Sequence, residues 1–445
     1  MGGSSVAVEE NLKRRSKGYR YYVLLLLTLV YAFNFIDRQI LGILAPYIQA
    51  DLGLDDGQIG LLAGFFFALF YTIVGIPIAL LADRFNRVNI VAVSLAVWSG
   101  FTAVSGMATN YLQLALARAG VGIGEAGGSP PSHSMISDLF SKEERGTALG
   151  IYSLGIPLGI MAAYFASAAL LGQPNLDWRT VFIAVGIPGV VLAVVLRLTV
   201  REPKRGAMDV TDKAVPQASL GKSIGQLLSV PSWWGMCFGI SFSSFGAYAL
   251  GAFVIIYLGR TFPEVPLPRV LVIFGILNGI AYAGGTFIGG IVADWWGRKT
   301  KAGYAWAPAV ALLIGAPALI LAFWVQSFAM AMTLTAIYLF LSGFYLGPSF
   351  SIAQTLAPIR VRAMSTALFF FILNLVALGG GPTYVGWVST LLTEAHGAEQ
   401  ALRLSMTSLA VPYAIGIIAF IWTGTRLPKD WERTQARNAG LDLTG

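Results

Sequence analysis

Long apolar runs dominate this sequence, and each run has enough residues to cross a membrane as a helix. Twelve runs lie at 21–49, 57–82, 88–109, 111–139, 146–171, 179–200, 233–260, 268–296, 303–325, 328–357, 362–391 and 402–426. A helix needs about 20 residues to span the hydrocarbon core of a bilayer. Backbone polar groups find no water there, so runs of this length can only be helices. The sequence therefore predicts an all-α membrane protein with twelve transmembrane helices.

Composition supports a membrane protein and excludes several other classes. Charged residues make up 12% of the chain and hydrophobic residues 56%, whereas a soluble domain carries about 25% charged residues. The net charge of +8 comes from basic clusters between the runs, so we expect no nucleic-acid partner. The single cysteine, Cys237, excludes a disulfide framework and a cysteine-based metal site. We expect no metal ion and no cofactor.

The distribution of basic residues predicts the topology. Most of the 30 basic residues lie in alternate segments between the runs, beginning with the N-terminal segment. The other segments contain only Arg179, Arg260, Arg269 and Arg403. Lysine and arginine accumulate on the cytoplasmic side of membrane proteins. Both termini are therefore predicted to be cytoplasmic.

A polar interval divides the runs into two groups of six. It extends from 201 to 232 and contains no long apolar run, so it is predicted to be a cytoplasmic linker. The predicted organisation is an N-terminal tail at 1–20, a six-helix bundle at 21–200, the linker at 201–232, a second bundle at 233–426 and a C-terminal tail at 427–445.

The two groups of runs carry related sequences. The copies read ALLADRFNR at 79–87 and GIVADWWGRK at 290–299. Their aspartates, Asp83 and Asp294, are 211 residues apart. A looser pair, Arg145 and Arg362, is separated by 217 residues, and each arginine follows a proline by 14 residues. Internal repeats of this size are typical of transporters whose two halves move in alternating access.

At these residues the chain resembles the major facilitator superfamily. The loop signature of that family is G-x-L-A-D-R-x-G-R-[RK], which 79–87 matches with Ala79 and Asn86 in place of the two glycines. A second signature, R-x-x-x-G-x-G, is met by Arg118, Gly122 and Gly124. The resemblance implies two pseudo-symmetric six-helix bundles and a transporter rather than an enzyme.

Three further segments resemble the Spinster branch of the superfamily, as a bacterial member. They read NFIDR at 34–38, GIGEAG at 122–127 and ERGTALG at 144–150. The resemblance implies a multi-pass protein of the bacterial inner membrane. Animal Spinster proteins export sphingosine-1-phosphate or move lysophospholipids out of lysosomes, so it also implies a lipid-like substrate. An uncoupled facilitator, a drug/proton antiporter and a transporter-like receptor are the alternatives.

Four ionisable residues lie deep in the first and fourth runs: Asp37, Arg38, Arg118 and Glu125. Each such charge costs about 2.5–3.5 kcal/mol at mid-bilayer on insertion scales, and residues of this kind are usually functional. Arg118 and Glu125 are seven residues apart and share one helix face about 10 Å apart. We expect a proton switch with Asp37 as the main proton site, Glu125 as the second, and the two arginines as their partners. The alternative is a static ion-pair network.

The second half has polar and aromatic side chains in its runs but no equivalent charges. A charged side facing an apolar, aromatic side suits an amphipathic solute, although interhelical hydrogen bonding explains the same residues as well. The predicted substrate-binding residues are Asn34, Arg38, Arg118, Ser244, Tyr248, Tyr338, Ser342 and Tyr345. The expected partners are this solute, protons and membrane lipids, and the expected state is a monomer.

The duplicated loops are also predicted to form a cytoplasmic gate. In the resembled superfamily the loop aspartate bonds arginines and a helix N-terminus of the other half when the protein faces outward. The predicted gate residues are Asp83, Arg84, Arg87, Arg145, Asp294, Arg298 and Arg362. The alternative is that these charges only set the topology, which explains the arginines but not the repeated aspartates.

Overall fold

The computed structural model describes residues 17–173, 176–205, 208, 220–358 and 361–438. The regular structure in these residues is helical, with no strand among them. Eleven helices in the described part are long and apolar enough to cross a membrane. The predicted all-α membrane fold is confirmed.

Twelve helical elements of the described chain, α1 to α12, follow the apolar runs in order. Five are single helices: α1 is Lys17–Leu52, α3 is Arg87–Ser105, α6 is Trp178–Thr199, α7 is Pro231–Thr261 and α9 is Gly303–Ala322. The others consist of consecutive segments: α2 of Asp56–Gly60, Leu61–Phe65 and Phe66–Arg84; α4 of Tyr111–Glu125 and Ser129–Leu139; α5 of Lys142–Ser153 and Gly155–Leu171; α8 of Leu267–Leu277, Asn278–Tyr282 and Ala283–Lys299; α10 of Phe328–Ser342, Gly343–Tyr345 and Leu346–Thr355; α11 of Arg362–Leu373, Asn374–Gly379 and Gly380–His396; α12 of Ala398–Thr407 and Ala410–Asn438. A short helix, Leu220–Leu228, precedes α7.

Element α4 explains why eleven long helices accompany twelve predicted runs. The run at 111–139 is interrupted by a turn at 126–128, and neither resulting segment has the length of a full span. The turn contains Gly127 and Gly128, and Pro130 and Pro131 follow in the first turn of the next segment. Proline is tolerated in a first helical turn because its missing N–H would have no partner there. The count of twelve spans stays a prediction.

The C-terminal helix continues beyond the apolar run that predicted it. The run ends at 426, but α12 reaches Asn438. Its polar extension contacts the start of α7, where the Ser232 N–H and Oγ donate to Asp430 Oδ2 at 3.0 and 2.6 Å. Arg437 donates to the Leu356 carbonyl at 3.2 Å. Hydrophobic periodicity could not predict this extension, since hydrogen bonds to neighbouring helix ends hold it.

Two compact units divide the chain. The N-terminal unit contains α1, α3 to α6 and the segment Phe66–Arg84 of α2, together with Pro266–Gly275. The C-terminal unit contains α7, α9 to α12 and most of α8, together with Asp55–Phe65. The predicted boundaries at 21–200 and 233–426 stay a prediction.

The sequence repeat extends to irregular backbone. A π-helical turn at Leu61–Phe65 in α2 has a counterpart at Asn278–Tyr282 in α8, at the same 217-residue offset that separates Arg145 from Arg362. The interruption of α4 at 126–128 corresponds in the same way to the 3-10 turn Gly343–Tyr345 of α10. Turns of this kind inside helices often mark functional sites or hinges.

Glycines of α4 bring this helix into backbone contact with its neighbours. A Cβ at Gly124 would lie 2.5 Å from the Trp98 backbone nitrogen, and one at Gly122 would lie 2.6 Å from the Phe67 carbonyl oxygen. Small residues permit such close approach between membrane helices. Element α4 therefore packs tightly on α2 and α3. Its charged side chains lie at short range from those of α1.

A glycine of α8 provides a stability prediction inside the C-terminal unit. A Cβ at Gly285 would overlap the Phe340 carbonyl oxygen, whereas one at the adjacent Gly284 would lie 3.9 Å from the Phe340 ring. We expect Gly285→Ala to destabilise the protein by about 1–3 kcal/mol, as overpacking does. Thermal unfolding in detergent checks this, with Gly284→Ala as the control. Equal melting temperatures for the two variants would contradict the packing described.

Candidate functional site: a buried charge cluster in the N-terminal unit

Asp37 lies near the middle of α1 and is completely buried, with an exposed fraction of 0%. Neither carboxyl oxygen has a hydrogen bond within the described part of the chain. The polar side chains beside it are Thr102 and Trp98 of α3. The Thr102 hydroxyl and the Trp98 indole nitrogen are also buried without a hydrogen bond among the described residues. Asp37 therefore lies in a buried polar pocket with Thr102 and Trp98, and none of these three side chains forms a hydrogen bond within the described ranges.

Arg38 and Glu125 form an ion pair between α1 and α4. Arg38 Nε donates to Glu125 Oε2 at 2.7 Å, and the Glu125 side chain is fully buried while that of Arg38 is 11% exposed. Asn34, one turn earlier on α1, lies beside the Glu125 carboxylate. Arg38 is the most exposed of the four ionisable side chains, and the other three are almost completely buried.

Arg118 contacts the backbone of α1 rather than a carboxylate. Its Nη1 donates to the Asp37 carbonyl oxygen at 3.1 Å, and the residue is 1% exposed. The Phe67 ring of α2 lies between the two arginines, with its centroid 5.4 Å from the Arg118 guanidinium and 5.3 Å from that of Arg38. Cation–π contacts of this kind stabilise a desolvated cation.

The four residues thus meet at one place in the N-terminal unit, and α4 holds α1 at two consecutive positions. Glu125 binds Arg38, and Arg118 binds the carbonyl of Asp37. The sequence placed Arg118 and Glu125 on one helix face, and in the structure both reach α1. Within the described part of the chain no arginine donates a hydrogen bond to the Asp37 carboxyl, because Arg118 bonds the backbone instead. The expected partnership of an arginine with Asp37 stays a prediction.

Three residues beside the charge cluster were not predicted from the sequence: Trp98, Thr102 and Phe67. Trp98 and Thr102 are four residues apart and so share a face of α3, which was the available signal. Nothing in the sequence fixes which face of α3 meets α1, so their proximity to Asp37 required the structure.

Three of the polar residues predicted for the second half form side-chain hydrogen bonds between helices of the C-terminal unit. The Tyr338 and Tyr413 hydroxyls are 2.5 Å apart, and Ser244 Oγ donates to the Tyr345 hydroxyl at 3.3 Å. Ser342 Oγ donates to the Leu339 carbonyl of its own helix, and Tyr248 is half-buried. These contacts favour interhelical hydrogen bonding. A role in substrate binding stays a prediction.

Arg87, a predicted gate residue, is bonded inside the N-terminal unit. Its side chain is 2% exposed and lies 2.6 Å from Glu202 Oε1 and 2.5 Å from Asp138 Oδ2. It also donates to the Pro203 carbonyl at 2.8 Å. Arg87 therefore ties α3 to α4 and to the segment that follows α6.

The other predicted gate residues are less constrained by the described contacts. Arg145 donates to the Ser137 carbonyl at 2.8 Å, and Arg84, Asp294 and Arg298 are exposed. The side chains of Asp83 and Arg362 lie outside the described part of the chain. The gate stays a prediction.

Comparison with known proteins identifies the family. The sequence profile of the Major Facilitator Superfamily matches residues 27–382. The chain belongs to the Major Facilitator Superfamily. An MFS-type efflux pump of Mycolicibacterium smegmatis is 33% identical over 406 residues, which cover 91% of this chain and 92% of the pump. The protein is accordingly a transporter and not an enzyme.

Members of this superfamily named for Spinster are among the similar proteins. A crystal structure of a bacterial homologue of the human lysosomal transporter Spinster, in an inward-facing and unoccupied conformation, is 32% identical. It covers 94% of this chain and 99% of its own, with a TM-score of 0.85. Bovine protein spinster homolog 1 is 26% identical over 98% of this chain and 87% of its own length. The Spinster resemblance and a multi-pass protein of the bacterial inner membrane are confirmed.

Proposed function

We propose that this major facilitator is a proton-coupled transporter of an amphipathic, lipid-like solute of the lysophospholipid or sphingoid type. The observation that carries the proposal is the fully buried Asp37 carboxyl, which has no hydrogen bond within the described part of the chain, beside the buried Arg38–Glu125 pair. Both features lie on helices that meet in the N-terminal unit. Protons are the proposed coupling partner, and the protein acts as a monomer.

Asp37 is the proposed proton carrier. An ionised carboxylate that is buried and unpaired costs several kcal/mol, so such groups become neutral instead. The Asp37 carboxyl is fully buried and has no hydrogen bond among the described residues, and the proposed cycle therefore has it neutral in this conformation. When alternating access opens this site to the opposite side of the membrane, water or the adjacent Thr102 and Trp98 donors stabilise the ionised form of Asp37, and the proton leaves.

The Arg38–Glu125 pair is the proposed link between proton and substrate. A phosphate group suits the planar guanidinium of Arg38, and it would compete with the Glu125 carboxylate for that cation. Glu125 has 0% side-chain exposure, so losing its partner favours proton uptake. Binding of the headgroup and binding of a proton at Glu125 then strengthen each other, as linkage requires.

The lipid-like cargo is proposed from the asymmetry between the two units and from the relatives. In the described residues, the buried mid-helix charges lie in α1 and α4 of the N-terminal unit, whereas the corresponding part of the C-terminal unit offers buried tyrosines such as Tyr338 and Tyr345. An amphipathic solute presents one polar and one apolar side. The resemblance to the Spinster branch, whose animal members move sphingosine-1-phosphate or lysophospholipids, supports a lipid-like cargo.

A drug/proton antiporter is the second candidate. It is favoured by the 33% identity to the M. smegmatis efflux pump across almost the whole of both chains. The proposed proton chemistry of Asp37 would serve such a pump equally well, so cargo selection distinguishes the two functions.

A cargo panel in proteoliposomes tests the proposal. The probes are fluorescent lysophosphatidylethanolamine, fluorescent sphingosine and ethidium, each measured with and without a pH gradient. Dithionite in the external medium destroys fluorescence in the outer leaflet and so reports transbilayer movement of the lipids. We expect gradient-dependent movement of at least one lipid probe. Movement of ethidium alone would favour the antiporter, and binding without any flux would favour a transporter-like receptor.

A further inference from the structure

One face of α12 is apolar and exposed along the membrane-spanning part of the helix. It contains Val411, Ile415, Ile418 and Trp422, at successive spacings of four, three and four residues. Residues at these spacings lie on a single face of a helix. All four side chains are exposed, Val411 by 61% and Ile418 by 65%. An exposed apolar face of this length on a membrane helix indicates contact with the acyl chains of lipids.

Three basic residues continue this face beyond the apolar run. Arg426, Lys429 and Arg433 follow Trp422 at spacings of four, three and four residues, and all three are exposed. None of the three side chains has a hydrogen bond, ion pair or ring contact with another described residue. The same side of one continuous helix therefore changes from apolar to positively charged. These three residues are called the basic face of α12 below.

The depth of the basic face matches the headgroup layer of a bilayer. Trp422 ends the exposed apolar face, and tryptophan is enriched where hydrocarbon meets headgroups in membrane proteins. A helix rises 1.5 Å per residue, so Arg426 lies about 6 Å beyond Trp422 and Lys429 about 10 Å beyond it. The headgroup region on each side of the hydrocarbon core is roughly 5–8 Å thick. Because their side chains are long, Arg426 and Lys429 can both reach lipid phosphates.

Contacts on the opposite side of the helix fix the rotation of this segment. Trp431 stacks on Tyr304 of α9 with ring centroids 5.9 Å apart, and Lys301 Nζ lies 4.9 Å from the centroid of the Trp431 ring. Asp430 is buried and accepts hydrogen bonds from Ser232 of α7. All these partners belong to the C-terminal unit. The basic face is consequently held on the exposed side of α12.

We propose that the basic face of α12, together with the apolar face that precedes it, binds anionic phospholipids of the leaflet in which α12 ends. That leaflet is predicted to be the cytoplasmic one, since basic residues accumulate there. Among the described residues after 426, the exposed carboxylate is that of Glu432, so the three cations leave a net positive surface that complements an anionic headgroup. Topology requires positive charge after α12 but not its alignment with the apolar face. A lipid with a charged head and apolar chains fits this alignment.

Native mass spectrometry of the protein in detergent measures the binding of diacyl phosphatidylglycerol against phosphatidylcholine. Each basic residue at an anionic membrane surface contributes about a fivefold gain in affinity. We therefore expect Arg426→Gln/Lys429→Gln to bind phosphatidylglycerol about 25-fold more weakly than wild type, with phosphatidylcholine binding unchanged. Arg426→Lys/Lys429→Arg keeps both charges and should bind phosphatidylglycerol within about twofold of wild type.

The matched control is Arg197→Gln/Lys204→Gln, which removes two exposed cations from the N-terminal unit. Arg197 lies beside the exposed apolar face of α6 and not on it, since that face consists of Ile187, Val191, Val194 and Leu198. The control has the same change in net charge as the α12 variant and should keep wild-type binding of phosphatidylglycerol.

Wild-type affinity in Arg426→Gln/Lys429→Gln would overturn the proposal, and so would an equal loss in the control or equal binding of the two lipids by wild type. Poly-glutamate is the last probe. Its binding to wild type, without a preference for phosphatidylglycerol over phosphatidylcholine, would favour an acidic protein partner and contradict the lipid. Size-exclusion chromatography excludes unfolded variants. Asp37 and Arg38 are unchanged in every variant, so this result does not depend on the proposed cargo or its coupling.

Discussion

Asp37→Asn is expected to reduce gradient-driven movement of the fluorescent lysolipid at least tenfold and to remove its dependence on pH. The asparagine amide retains the size of the carboxyl but cannot bind and release a proton. Because Asp37 is fully buried without a hydrogen bond among the described residues, the neutral amide should be accommodated and the protein should fold. Initial rates in proteoliposomes across a series of imposed pH gradients measure the effect.

The control for this variant is Asp51→Asn, which neutralises a half-exposed carboxylate at the end of the same helix. It should leave the pH dependence unchanged. If Asp37→Asn retained the wild-type rate and pH dependence while Glu125→Gln lost both, Glu125 would be the coupling site. If both variants retained them, coupling would not lie in this cluster.

Glu125→Gln is expected to lower the free energy of unfolding by about 3–5 kcal/mol, the usual cost of removing one partner of a buried ion pair. Arg38 then loses the Glu125 carboxylate and keeps its charge beside Phe67 and Tyr71. Adding Arg38→Met should recover part of this loss, because it removes the buried cation that has lost this carboxylate. Transport should be absent in the double variant, since neither headgroup binding at Arg38 nor proton exchange at Glu125 is left.

A double-mutant cycle in detergent separates these contributions. Contacting residues in one network show interaction energies of about 0.5–3 kcal/mol. Strictly additive effects of Glu125→Gln and Arg38→Met would contradict the ion pair at 2.7 Å. Recovery of both stability and pH-driven transport in the double variant would instead show that the pair has a structural role alone.

Much of the fold could be predicted from the sequence, because the bilayer allows few alternatives. The apolar runs predicted the helices, and the spacing of Arg118 and Glu125 placed both on the face that meets α1. The rest of the site depends on tertiary contacts, which could not be predicted from the sequence. The Asp37 carboxyl stands apart from the ion pair because Arg118 bonds the α1 backbone, and that choice depends on the rotation of α1.

Residues outside the hydrophobic pattern were the least predictable. The extension of α12 past 426 is polar and is held by contacts such as Asp430 with Ser232. Arg87 was placed in a gate from the loop signature, whereas its bonds to Asp138 and Glu202 lie within one unit. Asp56 lies directly before the second apolar run and Arg260 ends the seventh, and nothing in the sequence indicated that they meet. In the structure they form an ion pair, because α2 begins inside the C-terminal unit.

In the proposed function, cargo and protons move together and Asp37 carries the proton. Proteoliposomes loaded with a pH-sensitive dye measure this most directly, with fluorescent lysolipid movement and internal pH followed in the same vesicles. We expect addition of the lysolipid to wild-type protein to cause proton movement in proportion to the lipid moved, and Asp37→Asn to show none. Lysolipid movement at the wild-type rate without any proton movement would contradict the claim.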